Sequence, residues 1–174
     1  PFPIEAGARL TGKLGSSTNV GFLSMRTEGL DGVVPGNDFS VVRLNQELPN
    51  RSAIGMMFVE RQGDGSINGH SAADFNRTYA IDGRWGIGDY TVFRSWISQT
   101  ETPGVSGDDM AGGLSWTYAD EDWNLNAGYS QVGEGFNPEV GFLARRNFRK
   151  YEAGWRYRFR PDNWGKLQEL RPHM

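Results

Sequence analysis

The sequence predicts an all-β fold, an antiparallel up-and-down transmembrane β-barrel or a fragment of one, and three observations predict it. Apolar and polar side chains alternate with period two, the alternating stretches run to about 9–12 residues, and the connections between them alternate short and long. A globular strand is usually ~5–6 residues, whereas crossing a bilayer at a tilt takes ~9–11. Outer-membrane barrels combine short periplasmic turns with longer external loops, an order that a soluble up-and-down barrel has less reason to keep.

Near the start of the chain, Ala6, Ala8, Leu10 and Leu14 oppose Arg9, Thr11 and Lys13. Strands near 19–27, 37–48 and 51–62 follow with looser alternation. Over 76–85, Arg77, Tyr79, Ile81 and Trp85 share one face, and Asn76, Thr78, Asp82 and Arg84 share the other. After a loosely alternating strand near 89–99, Met110, Gly112, Leu114, Trp116 and Tyr118 oppose Ala111, Gly113, Ser115, Thr117 and Ala119. Next, Trp123, Leu125, Ala127 and Tyr129 oppose Asn124, Asn126, Gly128 and Ser130. The clearest alternation is the ninth, from Lys150 to Arg160. There Tyr151, Ala153, Trp155, Tyr157 and Phe159 oppose Lys150, Glu152, Gly154, Arg156, Arg158 and Arg160.

The short connections are Gly15–Ser17, Pro49–Asn50, Gly86–Gly88 and Ala119–Asp122; the long ones are Glu28–Gly36, Gly63–Ala72, Thr100–Gly107 and Val132–Asn147. Few windows fit a period of 3.6, and Gly interrupts those, so no helix is predicted. Pro161-Asp162-Asn163 reads as another short turn, and Trp164 to Leu170 as the opening of a tenth strand. A barrel needs closure, and bacterial barrels use even strand counts. Residues 1–174 are therefore expected to be one outer-membrane barrel segment, about nine to ten strands of a larger barrel.

Composition agrees. Among the 174 residues are 24 Gly, 10 Phe, 6 Tyr and 6 Trp, with a mean hydropathy of −0.56, which suits antiparallel strands joined by tight turns. The absence of Cys excludes disulfide scaffolds and Cys-ligated zinc or iron–sulfur sites. No apolar run approaches the ~20 residues of a membrane helix. The chain opens on Pro1-Phe2-Pro3-Ile4-Glu5 with no signal peptide, as expected of a processed precursor or an internal piece.

Charge is unevenly spread. No Lys or Arg lies between Ser95 and Ala144, a stretch holding Glu101, Asp108, Asp109, Asp120, Glu121, Asp122, Glu134 and Glu139. Half of the 18 basic residues fall between Arg145 and Arg171. These arginines alternate with aromatics along a strand, so the basic tail reads as a strand face, and no nucleic-acid partner is expected.

The candidates for chemistry are few. Arg9, Arg43, Arg84, Arg156, Arg158 and Arg160 fall on polar strand faces, where guanidinium forks can line a lumen and hold anionic or sugar ligands. The preferred alternative is that they pair with Asp82, Glu47, Glu60 and Glu152 to stiffen the wall, since buried charges need partners. Trp85, Trp96, Trp116, Trp123, Tyr118, Tyr129, Trp155 and Tyr157 read first as a girdle at headgroup level and only second as a sugar-stacking platform. Asp64, Ser66 and Asn68 space oxygens like the start of a calcium loop, but Phe75 stands where a bidentate acid is needed. A plain loop without cofactor is therefore the first expectation and calcium the second. His70-Ser71 beside Asp74 is the only His–hydroxyl pair, in a loop where polar residues need no special reason, and no catalytic residue is assigned.

Several stretches resemble a family of bacterial outer-membrane barrels of unknown function that follow an N-terminal module like the family-9 carbohydrate-binding domains. They are Gly7 to Gly15 (GARLTGKLG), Asn37 to Arg43 (NDFSVVR), Ser52 to Gly55 (SAIG), Thr102 to Gly104 (TPG) and Gly107 to Asp109 (GDD). The most distinctive is Gly133 to Phe142 (GEGFNPEVGF). The resemblance implies a Gram-negative outer-membrane location, a barrel related to TonB-dependent receptors and membrane lipid as partner, and it carries over no catalytic residue. The leading functional expectation is a porin-like channel, an uptake receptor or a binding scaffold, for oligosaccharides or other nutrients. The second is a structural subunit anchoring other outer-membrane or periplasmic proteins, and the third an outer-membrane hydrolase.

Overall fold

Alternating strands must have every backbone donor and acceptor met by neighbouring strands. In the computed structural model, which describes residues 3–30, 33–65, 74–161 and 169–174, a single nine-stranded sheet meets them. The strands are β1 (Ile4–Leu14), β2 (Thr18–Thr27), β3 (Asn37–Leu48), β4 (Ser52–Gly63) and β5 (Phe75–Ile87). They continue as β6 (Thr91–Glu101), β7 (Met110–Ala119), β8 (Trp123–Val132) and β9 (Phe148–Tyr157). Their spatial order is their chain order, each neighbouring pair is antiparallel, and no helix occurs among the described residues. The predicted meander is thus the observed one, with β9 set two or three residues earlier than its alternation suggested.

The turns at one end are short because their residues accept left-handed backbone. Asn50 and Arg51 both have positive φ (59° and 58°), the signature of a turn that follows the twist of the strands it joins. At Ala119–Asp122 a side chain does the work. The Asp120 carboxylate accepts the backbone N–H of Asp122 (2.9 Å) and of Trp123 (2.6 Å), and the Tyr118 hydroxyl donates to its other oxygen (2.6 Å).

Register fixes two unlike faces. Leu10, Phe22, Val42, Phe58 and Tyr79 stand side by side across β1–β5, and Gly83, Ser95, Leu114, Tyr129 and Tyr151 across β5–β9. This apolar face is open: Leu10 is 66% exposed, Ile81 53% and Tyr151 76%. The buried residues Asn76, Thr78, Ser98 and Thr100 all lie on the opposite, polar face. No second layer covers the apolar one among the described residues. The buried apolar cluster of the described residues is only Ala111, Val132 and Phe136, backed by Leu143 and Phe148, on the polar side.

The sheet is open. Among the described residues β1 pairs only with β2. Along the far edge of β9 the last residues add a fringe of pairing: Phe159 and Leu170 exchange both backbone hydrogen bonds (2.9 and 2.8 Å), as do Trp155 and Met174 (3.1 and 3.0 Å). Of the expected tenth strand, Trp164 to Leu170, residues 164–168 lie outside the described residues, as do Asp162 and Asn163 of the expected turn; the pairing seen along β9 is made by residues 170–174.

The Asp120 turn carries a pH prediction. The Tyr118 hydroxyl first, and the backbone N–H groups of Trp123 and Asp122 with it, hold this carboxyl below the usual aspartate range. A depressed folded-state pKa stabilises above the unfolded value and is lost as pH falls through the folded one. The Trp123 amide resonance should therefore hold steady through ordinary carboxylate titration and shift only at more acid pH. An Asp120→Ala chain should show no such late step.

Candidate functional site

The polar face is a wall with a latch across it. Beyond β8 the chain turns inward over this face instead of leaving the sheet. Gly133 and Gly135 donate backbone hydrogen bonds to Met110 O and Asp108 O (both 2.8 Å), so the loop starts as an extension of the β7–β8 pairing. The approach is too close for a side chain, since a β-carbon at Gly133 would fall on the Asp108 carbonyl oxygen. Phe136 then packs down onto Ala111 and Val132, 6% exposed.

The tip of the loop reaches β4–β6. Asn137 N–H donates to Thr100 Oγ1 (2.9 Å). The Asn76 amide donates to Asn137 O (2.7 Å) and to Thr102 Oγ1 (2.7 Å), and accepts from Glu139 N–H (3.3 Å). Asn76 is 1% exposed and Thr100 2%. One side-chain amide thus imitates a strand backbone, meeting both a donor and an acceptor of the loop. Beside it, Arg61 on β4 donates through Nε to Glu139 (2.6 Å), and through its terminal nitrogens to Asp74 (2.7 Å) and Asn37 (2.9 Å). Its planar fork suits three acceptors at fixed angles, which a lysine could not match. Asn37 belongs to β3 and Asp74 precedes β5, so one guanidinium ties the loop to three adjacent strands at their long-loop end.

The rest of the wall is charged and partly paired. Arg43 reaches past Gly55 on β4 to Asp82 on β5 (2.5 Å). Lys13 meets Glu47 (2.9 Å), and Lys150 meets Glu152 (2.7 Å). These are the acids that the strand register puts on this face, and each has its cation. Arg9, Arg84, Arg94 and Arg156 are left on the same face with no acidic partner among the described residues; Arg84 Nε donates to Arg51 O instead (2.8 Å). Arg158 and Arg160 sit past the end of β9, where both approach Glu169 (3.5 and 3.4 Å). Arg171 joins them, and its hydrogen bond holds the Glu169 carboxyl below its ordinary range.

Charge on the apolar face is confined to one end. Arg26, Asp38, Glu60, Arg77, Glu101 and Arg149 are its charged residues by register, and each lies within the four residues of its strand next to a long loop. Arg26 and Asp38 form a two-bond pair (2.7 and 2.8 Å), and Arg77 bridges Glu60 (2.8 Å) and Glu101 (3.7 Å). Toward the short turns the face turns aromatic, with Trp85, Phe93, Trp116, Tyr118, Trp155 and the contact pair Trp123–Tyr157, whose ring centroids are 4.6 Å apart. Trp96, grouped in sequence with that girdle, is placed otherwise: it faces the polar side, opposite Asp82 and Gly113. β6 alternates too loosely for sequence alone to fix which face Trp96 and Arg94 take.

Of the calcium trio, Asp64 accepts the backbone N–H of Gly36 (3.0 Å), while Ser66 and Asn68 lie outside the described residues, as do His70 and Ser71. Among the described residues no group of three His, Cys, Asp or Glu could hold a metal ion. Comparison with protein-family models, curated proteins and solved structures finds no match to this chain.

The latch is open to test. Asn76→Ala leaves a loop N–H and a loop C=O without partners in a place closed to water, at a cost of about 1–3 kcal/mol. Amide hydrogen exchange at Asn137 and Glu139 should then accelerate at least tenfold, with exchange in β1–β3 unchanged. Unaltered protection at Asn137 and Glu139 would show that the contacts on Asn76 do not hold the loop.

Proposed function

We propose that this chain forms the wall of an outer-membrane β-barrel, a channel or uptake receptor whose polar face lines an aqueous interior. One observation carries the reading. Nine consecutive strands present an uncovered apolar face, and its charged residues are crowded at the long-loop end. A sheet in water buries such a face against a second layer, and an exposed apolar surface of this extent marks a membrane or protein contact. Hydrocarbon is the solvent that suits a broad uncharged band with aromatic side chains at one margin and paired charge at the other. Strands of 10–13 residues have the length for a tilted crossing. The two open edges fit the same picture, since a barrel closes only when both of its edges are paired. On this reading the long loops are external, and the 133–142 loop narrows the passage from within, as its latch to β4–β6 supports.

The absence of cysteine makes the reading simple to test. In proteoliposomes, Leu44→Cys should be protected from a charged maleimide, and Asn45→Cys, one residue on and facing the other way, should react. Equal labelling of the two would remove the membrane from the account. Leu44→Arg should destabilise the folded state by about 2–4 kcal/mol, the penalty for arginine on a lipid face near the midplane. Asn45→Asp, among Arg43 and Lys13, should cost under about 1 kcal/mol.

A further inference from the structure

Trp96 is out of place for a membrane girdle. It stands on the polar face of β6 yet is 42% exposed. Its indole leans sideways over β7, because the neighbour there is Gly113: a β-carbon at that position would lie 2.6 Å from Trp96 Nε1 and 3.2 Å from Cε2. The ring therefore lies along the wall and does not stand off it, with room made for it by a missing side chain. Its N–H has no acceptor among the described residues.

The surroundings are polar and carry surplus positive charge. Arg94 is two residues away on the same face, directly opposite Arg84 on β5, with Ser115 on its other side. Like charges directly opposite on adjacent strands repel. Arg84 turns its Nε toward Arg51 O on the β4 side, and Arg94 is left with no acid among the described residues. Asp82, held by Arg43, stands opposite Trp96, and Ser130 stands opposite Gly113. The latched loop crosses the wall at Thr100, four residues or ~13 Å along β6 from Trp96. The exposed ring thus lies just inside the narrowed stretch, on the same strands.

From this we infer that Trp96, Arg94 and Arg84 form a binding site for an acidic saccharide, a sugar ring bearing a carboxylate. An indole laid on a polar wall offers a flat apolar surface to the C–H face of a pyranose. Guanidinium groups beside it hold a carboxylate by paired, charge-assisted hydrogen bonds. The hydroxyls of Ser115 and Ser130 and the carboxylate of Asp82 suit the hydroxyl rim of the same ring. The anion also relieves the repulsion between Arg84 and Arg94, which the acids among the described residues leave in place. This site rests on the polar face being an aqueous lining, but its test needs no bilayer.

Titration calorimetry on the full-length protein in detergent supplies that test, with trigalacturonate as probe and neutral maltotriose and uridine monophosphate as controls. Trigalacturonate should bind at least tenfold more tightly than either control, and more weakly as salt rises. Trp96→Ala and Arg94→Gln should each weaken it at least tenfold. Trp96→Phe should recover part of the loss, and Trp116→Ala on the opposite face should leave it unchanged. Circular dichroism and heat-modified gel mobility establish that each variant is folded. Equal binding of maltotriose, equal binding of the nucleotide, or undiminished binding by folded Trp96→Ala or Arg94→Gln would each overturn the assignment. The maleimide labelling at positions 44 and 45 decides the membrane reading independently of these outcomes.

Discussion

A β-strand cannot choose one solvent. Its side chains alternate, so a sheet one layer thick necessarily presents two surfaces, and each must find a compatible environment. Here one surface is Leu10, Phe22, Val42, Phe58 and Tyr79 and their successors, and the other carries arginine, asparagine, threonine and serine, with Leu23, Val41 and Val59 side by side among them. No helix or second sheet covers the apolar side among the described residues. Every other property of the chain adjusts to this. Strand length, the confinement of charge to one margin and the gathering of aromatics at the other are all features of that apolar surface.

The polar surface solves the complementary problem. Asp82, Glu47 and Glu152 are each matched by a cation within reach, and the most buried polar group, Asn76, spends both ends of its amide on the loop that closes over it. A lone buried amide would cost stability; one that substitutes for a strand backbone makes the loop part of the sheet. The loop in turn supplies Phe136, which gives this otherwise layerless structure its small apolar cluster.

Much of this was legible in the sequence, for a plain reason. Period-two alternation is a local property, so Lys150 to Arg160 or Met110 to Ala119 declare a strand without knowledge of anything distant, and the short turns declare their ends. What was not legible depends on register and return paths. Arg94 and Trp96 sit in a strand where alternation is loose, so their face emerges only from pairing with β5 and β7. The segment Gly133 to Phe142 stood out as distinctive, but its partners Asn76, Thr100 and Arg61 lie dozens of residues upstream and carry no mark of the contact. Of the acids expected to pair with the wall arginines, Asp82 takes Arg43, Glu47 takes Lys13, and Glu152 takes Lys150 two residues along its own strand, while Glu60 lies on the apolar face and takes Arg77. Strand register decides these partners, and the sequence does not display it.

Each strand neighbours in space the strands that adjoin it in the chain. Nothing in such a meander waits for a distant segment, and hairpins can be added one after another in the order of synthesis. The 133–142 loop is the exception, because its anchoring points on β4, β5 and β6 and its own root on β8 must all exist before it can seat. Docking of this loop is therefore the closing event of assembly for that sector, and a protected amide at Asn137 reports a finished arc.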